Sequence, residues 1–320
     1  MCASDYKQKR VDYLNNWPNN TPFEIETVYR EHVKICTETY GSIFQPFALC
    51  REEDVAYNQT LSFLIDALDS LETKPNHSYE FVFKAFDCFT KVVCNESKIT
   101  PRLQTLSSQK LAFLIESSPE LSRSFSSMLD KIPTTACQLL YKNLFKQVRR
   151  AGDLTISQKR TWPQVFRQVV HDDHPDSNRL ALLSALYAQF GYADYANSIR
   201  PGSLALRRIL RQDSVCFNGQ TFSVSLDDKL NLVILGFLYA LRNNIMHGST
   251  ISLALSSKTS RSAYATDYYA FLLTYYFTLI LILDRFSADY PADKYAKLAE
   301  NMDTNVSRYV ALFGTHVIGL

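Results

Sequence analysis

Near the C-terminal third of the chain, "FLYALRNNIMHGSTI" (237–251) sets Arg242, Asn243, Asn244 and His247 at the end of an oily stretch, directly before Gly248. An imidazole has an unperturbed pKa of ~6.5, so it can give or take a proton near neutrality. At the C-terminus of a helix the dipole favours its protonated form, which suits a general acid. Spacing restricts what these groups can do together. On an ideal helix Asn243 and His247 share a face, whereas Arg242 lies about 140° round the axis from His247 at ~3.6 residues per turn. Arg242 and His247 converge only if the last turn loosens towards Gly248 or if two copies of the helix meet across a two-fold axis. In the second case Asn243 is placed to hydrogen-bond the imidazole or backbone of the facing copy.

The element that must position them is "SLDDKLNLVILGFLYALRNNIMHG", which reads as one helix from end to end. Ser225 followed by Asp228 forms a capping box, with Leu226, Leu230, Val233, Ile234, Phe237, Leu238 and Leu241 as a broad apolar stripe. Gly248 is a natural C′ residue. The polar cluster therefore occupies the last turn and a half.

The rest of the 320 residues predicts an all-α, multi-helix bundle. Helices are expected over 22–40 (Thr21 capping, Pro22 first), 51–71, 78–94, 99–117, 119–131, 134–150, 156–171 and 176–197, divided by breaks such as "TKPN", "NESKIT" and "HDDHPDSN". Nine glycines suit helices better than many strand turns. The exception is one small hairpin near 214–224, "SVCFNGQTFSV", where Asn218-Gly219 asks for a two-residue type I′ turn. The expected division is a helical N-terminal region, 1–140, with a sensing, regulatory or structural role, and a C-terminal helical domain, 141–320.

Composition sets further bounds. Hydrophobic residues at 46% and charged residues at 21% are those of a soluble globular protein, and a net charge of +2 does not by itself call for nucleic acid. Charge is uneven, however: 142–212 carries twelve Lys or Arg against five Asp, a local basic surface suited to phosphate. Within it Lys159, Arg160, Arg207, Arg208 and Arg211 are the expected RNA contacts. Seven scattered cysteines without CxxC spacing read as reduced thiols, and the polar N-terminus has no apolar core of a secretory signal; both point to the cytoplasm. Residues 268–283 are uncharged but short of the ~20 residues of a membrane span, so they read as a buried core helix, and no membrane partner is expected.

"RNNIMHG" at the end of an apolar helix resembles the RNxxxH form of the Rx4–6H motif of the HEPN superfamily, all-α domains found in toxin–antitoxin, CRISPR and other antiviral systems. Arg242, Asn243 and His247 match, and the long apolar helix around 263–286 supplies the packing partner such a domain needs. The resemblance covers about 225–286, extends plausibly to about 140, and makes 141–320 a HEPN-like domain. It implies metal-independent RNA cleavage with no cofactor: the ribose 2′-hydroxyl attacks the adjacent phosphate, leaving a 2′,3′-cyclic phosphate and a 5′-hydroxyl. His247 would move the proton, Arg242 would hold the phosphate and offset transition-state charge, and Asn243 would orient. It also implies a homodimer with a composite active site, RNA as substrate, and an antitoxin or sensor as partner.

Two other constellations compete. "HDDHPD" (171–176) imitates a metal site but reads more simply as a polar loop before proline. Tyr187, Tyr192, Tyr195, Tyr264, Tyr268, Tyr269, Tyr275 and Tyr276 have the stacking chemistry for RNA bases, yet at helical spacing they read as core. GxxxxGK[ST], GxGxxG and GxSxG are absent, which disfavours P-loop, dinucleotide and α/β-hydrolase chemistry. The alternative to an enzyme is a HEPN-fold RNA-binding or protein-docking module without turnover.

Overall fold

Caps and prolines cut the chain into helices. In the computed structural model, which describes residues 3–16, 18–19, 21–148, 151–191, 195–246 and 260–314, the helices are α1 (Ala3–Asn15), α2 (Glu24–Tyr40), α3 (Val55–Leu71), α4 (Pro75–Val93), α5 (Ile99–Thr105), α6 (Ala112–Glu116), α7 (Pro119–Asp130), α8 (Thr134–Phe145), α9 (Gln164–Val170), α10 (Ser177–Phe190) and α11 (Tyr195–Arg211). After a hairpin, β1 (Ser214–Phe217) and β2 (Gln220–Ser223), come α12 (Leu226–Asn231), α13 (Ala240–Met246), α14 (Arg261–Arg285) and α15 (Lys294–Phe313). Asp54, Ser118 and Asp176 each accept the backbone N–H three residues on, and Pro75 and Pro119 open α4 and α7. The fold is all-α with one small hairpin.

That hairpin is antiparallel, with Ser214 opposite Ser223 and Phe217 opposite Gln220. Asn218 and Gly219 have φ of 49° and 78°, the two left-handed positions a type I′ turn demands. Other expectations need correction at their edges. The α2 helix begins at Glu24 rather than at Pro22, and 51–71 begins at Val55 behind its Asp54 cap. Pro163 splits 156–171 into a 3-10 turn, Ile156–Thr161, and α9. The helix expected over 176–197 stops at Phe190.

The α11 helix is a larger departure, because Pro201-Gly202 lies inside it. A Cβ on Gly202 would stand 2.1 Å from the Tyr141 ring, so the glycine lets α11 lie directly on α8. Packing there outweighs the local signal to break.

Buried apolar side chains from Tyr29 to Phe313 form one contiguous cluster, with α14 at its centre. Every residue from Tyr264 to Leu283 is buried, with α4 and α15 packed against the helix. By length and composition α14 is the one helix among the described residues able to cross a membrane, but its apolar window is wholly covered by protein. Its tyrosines tie it to its surroundings. Tyr268 and Tyr269 donate to the carbonyls of Ile43 (2.8 Å) and Met128 (2.9 Å), and Tyr275 accepts the Phe47 amide (2.9 Å). Tyr187 and Tyr264 are buried too, so these residues belong to the core; Tyr192 and the Tyr195 side chain lie outside what is described.

Residues 226–246 form one continuous helical rod, α12, a π-helical stretch Leu232–Tyr239, and α13. Its head is fixed by charge. The Ser225 capping box with Asp228 forms as expected, and Asp227 and Asp228 then hold Arg179, which is 1% exposed. Arg179 donates from Nε to Asp228 (3.0 Å), from Nη2 to Asp227 (2.6 Å) and from Nη1 to the Val169 carbonyl (2.9 Å). Removing one partner of such a buried set strands the other charge. Arg179→Met should therefore lower the unfolding free energy by about 3–5 kcal/mol in urea melts; a loss below about 1 kcal/mol would show that the head of the rod is held by something else.

Candidate functional site

The rod carries the motif, and α8 and α4 aim it. A Cβ on Gly236 would stand 2.5 Å from Leu140 Cδ1, so the rod's backbone passes close against α8. The π stretch changes the register of the backbone ladder, and side chains meet two of its carbonyls. Asn143 Nδ2 donates to the Gly236 carbonyl (3.2 Å), and the Tyr79 hydroxyl donates to that of Leu238 (2.5 Å). Tyr79 also lines the small cavity that Arg242 faces. Tyr79 comes from α4, which packs against α14, so the rod's last turn is referenced to the core.

Arg242 and Asn243 are half-buried at this end, and Met246 is exposed. Arg242 Nη1 donates to Asn243 Oδ1 at 3.1 Å. The structure thus brings these two motif side chains together, with Asn243 orienting Arg242. His247 and Gly248 lie outside the described residues. Arg242 faces a cavity of about 40 Å³ that it shares with Tyr79, Glu80, Phe83, Lys84, Asp87, Ile245 and Met246. That volume is far below the ~300 Å³ at which pockets begin to enclose organic ligands, so the described residues of one copy do not surround a nucleotide.

Beneath the same end lies Asp267, 3% exposed on α14. Burial, then the nearby Glu80 carboxylate, pushes its carboxyl up to about 8, and burial raises the Tyr79 phenol as well. Sequence reading passed over both residues. Asp267 carried a signal, an acid directly before a sixteen-residue uncharged run, because a carboxylate there must be neutral or paired. Tyr79 carried none, since its partner is 159 residues away.

The expected RNA contacts are placed unequally. Arg207 is 7% exposed, beside Cys137, Tyr269 and Tyr309 in the core; burial lowers its pKa, and it is not on an RNA-accessible surface. Its basic neighbours in sequence pointed outward, but α11 turns this residue towards α8. Arg208 is exposed; Arg211 donates to the Asp130 carbonyl and lines a cleft of about 440 Å³ with Lys229 and Asp213. Lys159 and Arg160 sit on the 3-10 turn before α9, Arg160 exposed and Lys159 partly so.

The loop at 171–176 is structural. His171 caps α9 in the left-handed region (φ 58°), and its Nε2 donates to Asn231 Oδ1 at 2.7 Å; burial chiefly lowers its pKa. Asn231 is fixed for that role because its Nδ2 donates to the Asp227 carboxylate (2.8 Å) and carbonyl (2.9 Å). Among the described residues no group of three or more His, Cys, Asp or Glu is placed to hold a metal ion.

No protein-family model, no curated protein and no solved structure matches this chain.

The buried Asp267 generates a pH signature. Its folded pKa lies above its ordinary value of 3.8, so between these limits the folded state keeps a proton that the unfolded state releases. Stability from this group is therefore full below about pH 4 and is lost as pH rises through about 8. Asp267→Asn should lose less stability than the parent between pH 5 and pH 8 in urea unfolding. Equal losses in the two proteins would mean that Asp267 is not held neutral.

Proposed function

We propose that this protein is a metal-independent endoribonuclease of HEPN type, acting as a toxin or an antiviral defence effector. The observation that carries the reading is the end of the rod: Arg242, oriented by Asn243 and half-exposed, five residues before His247 in the sequence. A guanidinium held by a neutral carboxamide keeps its charge available to a phosphate, which an ion pair would not. In the proposed reaction the 2′-hydroxyl oxygen bonds to phosphorus, the bond to the 5′ oxygen breaks, and a 2′,3′-cyclic phosphate and a 5′-hydroxyl result. His247 takes the 2′-hydroxyl proton or supplies the proton to the leaving oxygen, and Arg242 offsets charge on the phosphoryl oxygens. Two copies of the rod end, facing each other in a homodimer, complete two equivalent sites, each with Arg242 of one protomer beside His247 of the other. Arg208, Arg160 and Lys159 extend the phosphate-binding surface, the N-terminal helices restrain or trigger the nuclease, and the site of action is the cytoplasm.

The test is cleavage of a labelled RNA by the full chain. Arg242→Ala and His247→Ala, folded by circular dichroism, should each cut at least ~100-fold more slowly. Chelator should leave the rate unchanged, and a 2′-deoxy substitution at the cut site should abolish cleavage there. Parent-like cutting by His247→Ala overturns the assignment, and cutting of the deoxy substrate overturns the 2′-hydroxyl mechanism.

The small cavity at Arg242 favours the second reading, a HEPN-fold RNA-binding or protein-docking module. Growth arrest on overexpression, relieved by His247→Ala, separates the nuclease from that module.

A further inference from the structure

We infer that Tyr79 is the positioning residue for Arg242: its hydroxyl holds the Leu238 carbonyl where the π stretch hands over to α13, and so sets the direction in which the guanidinium leaves the helix. The inference rests on the ribonuclease reading for its catalytic consequence and on geometry for the rest.

Most tyrosines described above use the hydroxyl as a strut, one bond to one carbonyl, as with Tyr268 on Ile43 and Tyr187 on Val148. Tyr79 makes such a bond to Leu238 (2.5 Å), and of these tyrosines it is the one that lines the cavity of Arg242. Residues 238 and 242 are the two ends of one α-helical ladder step. They stand where the π stretch, ending at Tyr239, gives way to α13 at Ala240. A π-to-α change rotates everything beyond it, so whatever fixes the ladder here fixes the azimuth of Arg242. Tyr79 is itself immobile, 0% exposed, with its ring edge-on to Phe83 at 6.0 Å. Without that hydroxyl the Leu238 carbonyl would lose its side-chain donor, and would either tighten onto the helical ladder and turn the last helix or remain unpaired against an aromatic ring.

The test uses Tyr79→Phe, which removes one oxygen, with Phe83→Leu as a neighbour that has no hydroxyl to lose. Amide hydrogen exchange in the full chain should rise at least ~10-fold in 240–246 for Tyr79→Phe and stay at the parental rate in α14; Phe83→Leu should not show that pattern. On RNA, kcat should fall about 10- to 100-fold with KM within about twofold, since misplacing a reacting group by an ångström costs that much. If Tyr79→Phe does not fold, 3,5-difluorotyrosine at 79 keeps the volume and changes only the hydroxyl's bonding. Unchanged exchange in 240–246, or acceleration spread equally over all helices, overturns the inference. A local rise in exchange, with RNA cleavage indifferent to both Tyr79→Phe and Arg242→Ala, keeps the positioning role and overturns the ribonuclease reading.

Discussion

A helix buried around its whole circumference has no water to satisfy the polar groups on it or against it. That constraint, imposed by α14, organises most of what surrounds it. Residues 43–50 run without regular structure beside it, and their backbone is met by side chains: Gln45 by Asn305, Phe47 by Tyr275, Cys50 by Tyr290. Thr274 and Thr278 turn back on their own helix to the carbonyls four residues earlier. Asp267 meets the same constraint by holding its proton. The tyrosines fit because they combine a large apolar ring with a hydroxyl that reaches a polar partner, a carbonyl for Tyr268 and Tyr269 and an amide for Tyr275.

The rod bearing Arg242 inherits its rigidity from this core. Its head is locked by Arg179 through Asp227 and Asp228, and its tail by Tyr79 through Leu238. Between them the π stretch passes close to α8, where Gly236 leaves room for Leu140. Two different kinds of interaction therefore hold one element, ion pairs at one end and a neutral hydroxyl at the other. The difference suits the chemistry proposed for the tail. Glu80 and Asp87 line the cavity at Arg242, but the side-chain bond described for the guanidinium is to Asn243, a neutral group that does not compete with a phosphate as an ion-paired carboxylate would.

Local signals were legible in the sequence. The Ser225 capping box and the Asn218-Gly219 turn depend on residues three or fewer apart, and both form as their chemistry requires. The apolar run of α14 was legible as core because length and flanking charge decide that question. What escaped depends on distant partners. The α11 helix continues through Pro201-Gly202 because Tyr141 packs there, and Arg207 turns inward for the same reason. The π stretch has no sequence period to betray it, since "LVILGFLY" is apolar on every side. At the candidate site Arg242 and Asn243 stood out by type and spacing. Tyr79 and Asp267, which hold and surround that end, did not.

The central claim is that the ends of two rods make one ribonuclease site, and subunit mixing tests it most directly. Arg242→Ala and His247→Ala proteins, each inactive alone, would be unfolded together, refolded and assayed on RNA. If each site takes Arg242 from one protomer and His247 from the other, random pairing restores roughly a quarter of the parental rate. A mixture as inactive as its components, while the parent cuts RNA, would contradict the account.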